Sequence, residues 1–289
     1  MIRIGVGKMT DRKDMLRKIE MYGRYLKSEE REKSTVEKYL RDIRRFAEWL
    51  QDRPLTKAET TGWKEHQLSF GYQPVSINCM CSALNGFLSF LGREDCRVRY
   101  LRIQRRLFRG RERELSREEY LRLLDAAQKK GREQLRLLME TICATGIRIS
   151  EVRHITVEAA RRGRAEIFLK GKVRVILLPG KLCRKLLKYV KKKKISSGEI
   201  FLTRTGKGIS RGEIWAAMKS LCNAAGVERT KVFPHNLRHL FARSFYQACR
   251  DVVKLADVLG HSSIETTRIY LISTEAEHSR QIERLNLIC

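Results

Sequence analysis

Apolar residues recur at helical spacing through the first part of the chain. They fall on one face between residues 14 and 29, and Pro74 begins another stretch of the same kind. Two more stretches open with patterns typical of a helix start, in which Ser34 or Thr56 precedes an acidic residue by three positions. The pattern predicts four amphipathic helices, and therefore a small helical domain over residues 12–96.

Residues 97–113 break this periodicity. Eight arginines and one acidic residue, Glu112, fall in the stretch, and the apolar residues between them hold no single helical face. We interpret it as a basic linker. It could be a solvated connection or a segment that crosses a phosphate backbone, since arginine suits bidentate phosphate contacts, and we favour a combination of both.

A second domain is predicted over residues 114–289, mainly α with a small β-sheet. Ser116 and Glu119 form a capping box for its first helix. Runs rich in β-branched residues on both sides of Lys170-Gly171-Lys172 predict a β-hairpin. Further helices are expected at 133–144, from Ile147, and at 181–193, 211–225, 234–249, 252–259 and 264–270.

The charge balance narrows the class of partner. Lys and Arg number 61 against 33 Asp and Glu, a net charge of +28. Such an excess favours a polyanion, with nucleic acid first and an anionic membrane surface second. The membrane alternative is weak because no apolar run approaches the roughly 20 residues that span a bilayer. Residues Met1 to Lys8 are too short and too broken for a signal peptide.

Cysteine usage favours a reducing compartment. The eight cysteines are scattered through apolar helical patterns and form no CxxC pair. We expect them to be reduced and buried in a cytosolic protein, and we expect no metal site.

Several polar residues are candidates for chemistry. Arg148 follows a helix-ending glycine, Lys170 lies at the hairpin turn, and His235 shares a helix face with Arg238. Each also has a structural explanation, as a surface cation, a solvated turn or a bridge to surface acids. His261 precedes a tyrosine by nine residues, and a tyrosine hydroxyl can attack a phosphodiester.

Four blocks of the chain, in the family's order, resemble those of tyrosine recombinases of the phage integrase family. The blocks are Ala144-Thr145-Gly146-Ile147-Arg148-Ile149-Ser150-Glu151, Lys170-Gly171-Lys172-Val173-Arg174, Pro234-His235-Asn236-Leu237-Arg238-His239, and Leu259-Gly260-His261 through Ile269-Tyr270. The chain is similar to the simple two-domain Xer-like and transposon integrases. The hairpin block departs from the family form by being one residue shorter, so Lys172 is an alternative to Lys170.

The resemblance implies a site-specific recombinase that uses neither metal nor nucleotide. Tyr270 would be the nucleophile that forms a 3′-phosphotyrosyl bond and frees a 5′-hydroxyl. Arg148 and Arg238 would hold the phosphate oxygens. Lys170 would protonate the leaving oxygen, His235 would transfer a proton, and His261 would donate to the phosphate. His239 is interpreted as structural.

Partners follow from the same resemblance. The chain would clamp double-stranded DNA at inverted-repeat core sites and form a synapse of four protomers. An arm-type DNA-binding domain is expected to be absent. The tail beyond Thr274 would dock on a neighbouring protomer through Ile282, Leu285 and Ile288. An accessory protein that sets directionality fits the scheme, as does a cytoplasmic, nucleoid-associated protein from a bacterium, phage or mobile element. Two alternatives remain: a type IB topoisomerase-like nicking-closing enzyme and a non-catalytic DNA-binding protein.

Overall fold

The computed structural model describes residues 12–103, 114–169, 172–261, 263–268, 270 and 283–284. The chain divides into two compact units, Met1–Arg105 and Arg106–Cys289. The described part is mainly helical with one two-stranded antiparallel sheet, which confirms the predicted fold class. No helix in these ranges is both long and apolar enough to cross a bilayer.

The first unit contains the four predicted helices. They are α1 (Arg12–Ser28), α2 (Lys33–Leu50), α3 (Lys57–Ser69) and α4 (Pro74–Phe90), followed by a 3₁₀ turn at Glu94–Cys96. Their apolar faces meet in one core, where Phe46, Trp63 and Phe87 are at most 1% exposed. Burying aromatic side chains of this size supplies much of the stability of a small helical unit.

One of the two predicted helix starts in this unit is wrong. Helix α2 begins at Lys33, one residue before Ser34, and its N-cap is Glu32, without a side-chain cap. Because Ser34 already lies in the first turn, it cannot take the N-cap conformation. At α3, Thr56 does accept from the backbone N–H of Glu59, but the Glu59 carboxylate pairs with Arg53 at 2.7 Å.

The described half of the predicted linker packs on the first unit. We call residues 97–103 the strap. The Asn85 amide donates to Val98 O at 2.9 Å and accepts from Val98 N at 2.8 Å. Asn78, two turns earlier on α4, makes the same pair of bonds with Leu101 at 2.9 and 2.8 Å. These bonds hold the strap in extended form. Residues 104–113 lie outside the described ranges.

The second unit is helical around a small hairpin. Its elements are α5 (Arg117–Lys129), α6 (Glu133–Thr145), α7 (Val157–Arg162), β1 (Arg164–Leu169), β2 (Lys172–Leu177), α8 (Gly180–Lys193), α9 (Arg211–Lys219), α10 (Cys222–Ala225), α11 (Pro234–Cys249), α12 (Val252–Leu259) and α13 (Ile264–Arg268), with 3₁₀ turns at Ile149–His154 and Arg229–Lys231. The capping box of Ser116 and Glu119 is present at α5, as predicted.

The hairpin has one buried and one exposed face. Strands β1 and β2 pair in antiparallel register, with Ala165 opposite Ile176 and Ile167 opposite Arg174. Ala165, Ile167 and Ile176 are buried, while Val173 and Val175 point outward. The alternation of a β-strand therefore places Arg174 on the face that packs against the unit.

Three expectations about local structure are corrected. The stretch from Ile147 forms a 3₁₀ turn, Ile149–His154, instead of an α-helix. The helix expected at 211–225 breaks after Lys219, where the Ser220 hydroxyl bonds to Ala217 O at 2.7 Å and competes with the helical pattern. Cys79 and Cys249 are exposed, because both lie on the solvent sides of their helices.

Candidate active site

The end of α6 brings Arg148 into the site. Gly146 ends the helix with φ +61°, and a Cβ there would lie 2.4 Å from Phe241 Cδ1, so only glycine fits. Two residues later the Arg148 guanidinium donates to Glu151 Oε1 at 3.0 Å and to Gly260 O at 3.3 Å. Its side chain is 38% exposed, so a ligand can still reach it.

Glu151 is the buried carboxylate of this region. It accepts from the backbone N–H of Arg148 at 3.0 Å and from the Arg174 guanidinium at 2.6 Å. Burial would raise the pKa of Glu151, but the charge of Arg174 and the hydrogen bonds from Arg148 outweigh it and lower the pKa. Glu151 is therefore an anion that orients two arginines.

Helix α11 supplies a second arginine at its first turns. Arg238 is 2% exposed and donates to Gly146 O, to Leu259 O at 2.9 Å and to His261 Nε2 at 2.8 Å. Burial lowers its pKa, while a hydrogen bond to Tyr270 opposes that shift. Arginine remains protonated under such conditions, so the site keeps a buried positive charge.

His261 follows the left-handed residue Gly260, which ends α12. Its Nδ1 lies 2.8 Å from Thr267 Oγ1, and its Nε2 faces Arg238. Because a guanidinium only donates, Nε2 must accept and Nδ1 must carry the proton. Burial and then the nearby arginines lower the pKa of His261 to about 4, so the ring is neutral near pH 7.

Tyr270 lies within this group of side chains and is 4% exposed. Its ring centroid is 4.4 Å from His239, 5.8 Å from His261 and 6.2 Å from His235. The His261 ring is nearly parallel to it, at 11°. His239 is buried and packs edge-on against the exposed His235, so it fixes both neighbours by contact.

The structure brings together all the predicted site residues that it describes, namely Arg148, His235, Arg238, His261 and Tyr270. Lys170 lies outside the described residues. Lys172, the alternative, is the first residue of β2. Sequence reasoning missed Glu151, Arg174 and Thr267 as members of the site. We call Arg148, Glu151, Arg174, Arg238 and His261 the arginine cluster.

The cluster is suited to an anion with several oxygens. Arg148 and Arg174 share the carboxylate of Glu151, whereas every acceptor recorded for Arg238 is neutral. Preorganised guanidinium donors in a buried site stabilise developing negative charge far better than they would in water. A phosphodiester bound here would lie beside the Tyr270 hydroxyl.

Comparisons with known proteins agree with this chemistry. The phage integrase family pattern matches residues 113–277, more than half of the chain, and the N-terminal SAM-like domain of phage integrases matches residues 19–95. Tyrosine recombinase XerA of Thermococcus kodakarensis is 29% identical over 274 residues, which cover 92% of this chain and 93% of that protein. Tyrosine recombinase XerD of Vibrio cholerae is 27% identical over 262 residues, covering 84% and 87%.

Solved structures share the fold. The XerH recombinase bound to a palindromic difH substrate, a post-cleavage complex, has a TM-score of 0.73 and 18% identity, covering 98% of both chains. The lambda integrase tetramer bound to a Holliday junction has a TM-score of 0.69 and 20% identity, covering 88% of this chain and 76% of that one.

Proposed function

Because this chain belongs to the phage integrase family of tyrosine recombinases, which break and rejoin DNA, we propose that Tyr270 is its nucleophile. The Tyr270 oxygen attacks a backbone phosphorus, the bond from phosphorus to the 5′-oxygen breaks, and a 3′-phosphotyrosyl link forms. The link conserves the bond energy, so the 5′-hydroxyl of a partner strand can reverse the step and complete strand exchange.

The arginine cluster would stabilise the transition state. The phosphorus passes through a pentavalent arrangement with two negative charges. Arg148, which is partly exposed, and Arg238, which is buried, each offer paired N–H donors to its non-bridging oxygens. As the phosphate takes hydrogen bonds from Arg238, His261 Nε2 loses its donor and becomes free to take up a proton and donate to the same phosphate.

Proton transfer needs two further groups. The proton of Tyr270 would pass to His235, whose ring centroid lies 6.2 Å from that of Tyr270, either directly or through one water. The departing 5′-oxygen would take a proton from Lys170, with Lys172 as the alternative donor. Both assignments rest on the family resemblance.

The observation that carries the proposal is the environment of Tyr270. Its phenol is buried beside His239, His261 and His235, and it lies close enough to Arg238 to oppose the fall in the pKa of that buried guanidinium. A tyrosine needed only for packing would not require a buried cation beside its hydroxyl, because burying an arginine is unfavourable without a strong compensating interaction.

Assembly on DNA is part of the proposal. The solved relatives include a XerH complex with its difH substrate and a lambda integrase tetramer on a Holliday junction. By analogy this chain would bind inverted-repeat core sites as a synapse of four protomers, with the two units and the residues 97–113 contacting the duplex. The tail that would join protomers lies outside the described residues, apart from positions 283 and 284, and an accessory directionality protein belongs to the same scheme.

The cellular setting is inferred from the chemistry and from the matched relatives. A DNA-joining enzyme would act in the nucleoid or cytoplasm, and the matched relatives come from archaea as well as bacteria. The relatives are recombinases by name, so the nicking-closing topoisomerase alternative has no support among them.

Trapping on a nicked duplex library would test the nucleophile and find the DNA site together. The wild-type protein is expected to form a covalent complex whose attached DNA, once sequenced, gives a common core site. Tyr270→Phe should bind the same DNA and form no covalent complex. Tyr246→Phe is the matched control, since Tyr246 packs in the same apolar cluster, and it should retain the complex. A covalent complex with Tyr270→Phe would refute the assignment.

A further inference from the structure

Arg174 joins three elements of the second unit, and it is the one arginine of the cluster to which the mechanism above assigns no contact with the phosphate. From its inward position on β2, its guanidinium donates to Glu151 Oε2 at 2.6 Å and to Val258 O at 3.1 Å. Only 11% of its side chain is exposed. One side chain therefore ties the hairpin to the 3₁₀ turn that follows Arg148 and to the C-terminal end of α12.

The contact with α12 extends to the residue before His261. A Cβ on Gly260 would lie 2.3 Å from Arg174 Cδ and 2.4 Å from its Nε. The side chain of Arg174 thus lies directly against the backbone from which His261 projects. Gly260 has φ +61° as well, so two independent constraints require glycine there.

The contacts of Arg174 also restrain the residue pairs of the hairpin that lie closer to its turn. Arg174 is paired with Ile167, and Leu169 is paired with Lys172, so Arg174 lies two residues from the last described pair of the ladder. A two-stranded antiparallel ladder resists bending over that length, because every second residue pair exchanges two backbone hydrogen bonds. Fixing Arg174 therefore fixes the pair of Leu169 and Lys172, the last described pair, which directly flanks Lys170 in the sequence.

Burying an arginine at position 174 would be energetically unfavourable if its side chain only filled the core. Its Nε is buried without a hydrogen-bond partner among the described residues. Removing one partner of a buried ion pair leaves the charge of the other uncompensated. Here the loss of Arg174 would leave Glu151 without its partner from the hairpin. If position 174 served packing alone, an aliphatic residue could cover the same core surface without burying a guanidinium, so the charge has a purpose beyond filling space.

We propose that Arg174 is a positioning residue that locks the β1–β2 hairpin, and with it the general-acid lysine, onto the segment carrying His261 and Tyr270. This inference rests on the proposed function, since Arg174 would serve the step in which the lysine protonates the leaving 5′-oxygen. The hairpin and the segment that carries His261 and Tyr270 then move as one body. The side chain of Arg174 thereby keeps the general-acid lysine in place relative to the groups that bind the phosphate.

The test uses two versions of the trapped duplex, one with the natural phosphodiester and one with a 5′-bridging phosphorothiolate at the scissile position. A thiolate leaves without a proton, so loss of the general acid no longer matters. Arg174→Ala should slow cleavage of the phosphodiester by about 10²-fold, the lower range for removing general-acid catalysis, and should recover nearly wild-type rates on the phosphorothiolate. Lys170→Ala, paired with Lys172→Ala, shows the behaviour of a missing acid.

Two variants control the experiment. Arg164→Ala removes an exposed arginine from the same hairpin, one that pairs with Glu166 at 3.3 Å, and should leave both rates unchanged. Arg174→Lys keeps the charge but cannot span Glu151 and Val258 with one planar fork, so its defect should lie between wild type and Arg174→Ala. An equal loss on both substrates would overturn the inference, because it would place Arg174 in phosphate binding instead.

A measurement on the protein alone separates this inference from the proposed function. Arg174→Ala should speed amide hydrogen exchange both in β2 and in residues 255–261, while exchange in α5 and α6 stays as in wild type and reports an intact fold. Unchanged exchange in either segment contradicts the tie, whatever the activity. If the wild type forms no covalent complex on either duplex, the proposed function fails, and the exchange result still decides the tie.

Discussion

The strap and the arginine cluster both bury polar groups, but they balance charge in opposite ways. In the strap, two neutral asparagine amides meet one backbone N–H and one carbonyl each, and the charged contacts of the strap, from Lys57 and Lys64, lie on its exposed side. In the cluster, two guanidinium groups share one carboxylate, Glu151, and the third, that of Arg238, bonds only to neutral acceptors. A network that is complete by itself stabilises a fold, whereas one with surplus buried positive charge is arranged for an anion.

Arg238→Lys is expected to have the largest effect on the cluster. Lysine keeps the charge but loses the planar set of donors that bonds Gly146, Leu259 and His261 together. We expect covalent complex formation to slow by about 10²–10³, as for removal of a preorganised donor, with little change in DNA affinity. Single-turnover kinetics on the trapped duplex would measure this rate.

Arg243→Lys is the matched control on the same helix. Arg243 pairs with Glu114 and donates to Leu115 O at 2.8 Å, contacts that anchor the start of the second unit. It should lower stability slightly and leave the rate intact. If both variants lost the same activity, general disturbance of α11 would explain the loss, and the cluster would have no special role.

Asn85→Ala tests the neutral network that holds the strap. The carbonyl and N–H of Val98 would be left buried without partners, which lowers the free energy of unfolding by about 1–3 kcal/mol. Urea denaturation followed by the fluorescence of Trp49 and Trp63, in a Trp215→Phe background, would report the first unit. Cleavage per bound protein should not change.

Asn78→Ala is a second variant of the same kind, with a smaller expected loss of stability. Its bonds to Leu101 are only partly buried, so water can replace them and the loss of stability should be smaller. A fall in the single-turnover rate as large as that of Arg238→Lys, in a folded Asn85→Ala protein, would contradict the division between structural and catalytic networks.

Local patterns predicted most of the helices because apolar spacing is a short-range signal. Helices α4, α11 and α12 begin where the sequence indicates, at Pro74, Pro234 and Val252. Ser34 shows the limit of such patterns. A serine three residues before a glutamate fits a helix start one position inside the helix as well as at its edge, and tertiary packing decides between them.

The site was predicted less evenly. Resemblance to a family supplied the candidates on α11 and around His261, and the structure places their side chains together. Glu151 and Arg174 were missed because their importance comes from contacts between distant positions. Arg174 meets a carboxylate 23 residues away and a carbonyl 84 residues away, and no local spacing encodes such a meeting.

The titration of His261 gives a smaller but direct measure of the surplus charge. Burial and then Arg238 lower its pKa to about 4 from 6.5. Since the unfolded chain binds this proton more readily, the contribution to stability is full above pH 6.5 and is lost as the pH falls from 6.5 towards 4. Bound phosphate should raise the pKa, because an anion favours the imidazolium.

Proton NMR of the His261 ring would follow both states, with His261→Gln to assign the signal. The expected result is a pKa well below 6.5 in the free protein and an upward shift on a DNA duplex bound by Tyr270→Phe. An unshifted pKa in the free protein would mean that the arginines around His261 are already neutralised, and the contrast with the strap would lose its electrostatic basis.

The smallest expected effect concerns the outer side of the strap. Its asparagine bonds leave Arg99 and Arg102 exposed on an extended backbone, where each could meet one phosphate. Replacing both with alanine should reduce the slope of log affinity against log salt by about 0.9 for each phosphate that is no longer neutralised. Filter binding or fluorescence anisotropy over a range of salt concentrations would measure the slope.

Arg93→Ala is the control for the loss of a positive charge that is not available to bind phosphate. Arg93 lies just before the strap but is paired with Asp95 at 2.8 Å, so its removal should leave the salt slope nearly as it is. If the Arg99 and Arg102 variant behaved in the same way, the strap would be structural on both of its sides. A reduced slope with an unchanged single-turnover rate would instead show that the strap carries a neutral network on its inner side and binds phosphate on its outer side. The rate of the chemical step would then depend on the active site of the second unit and not on the strap.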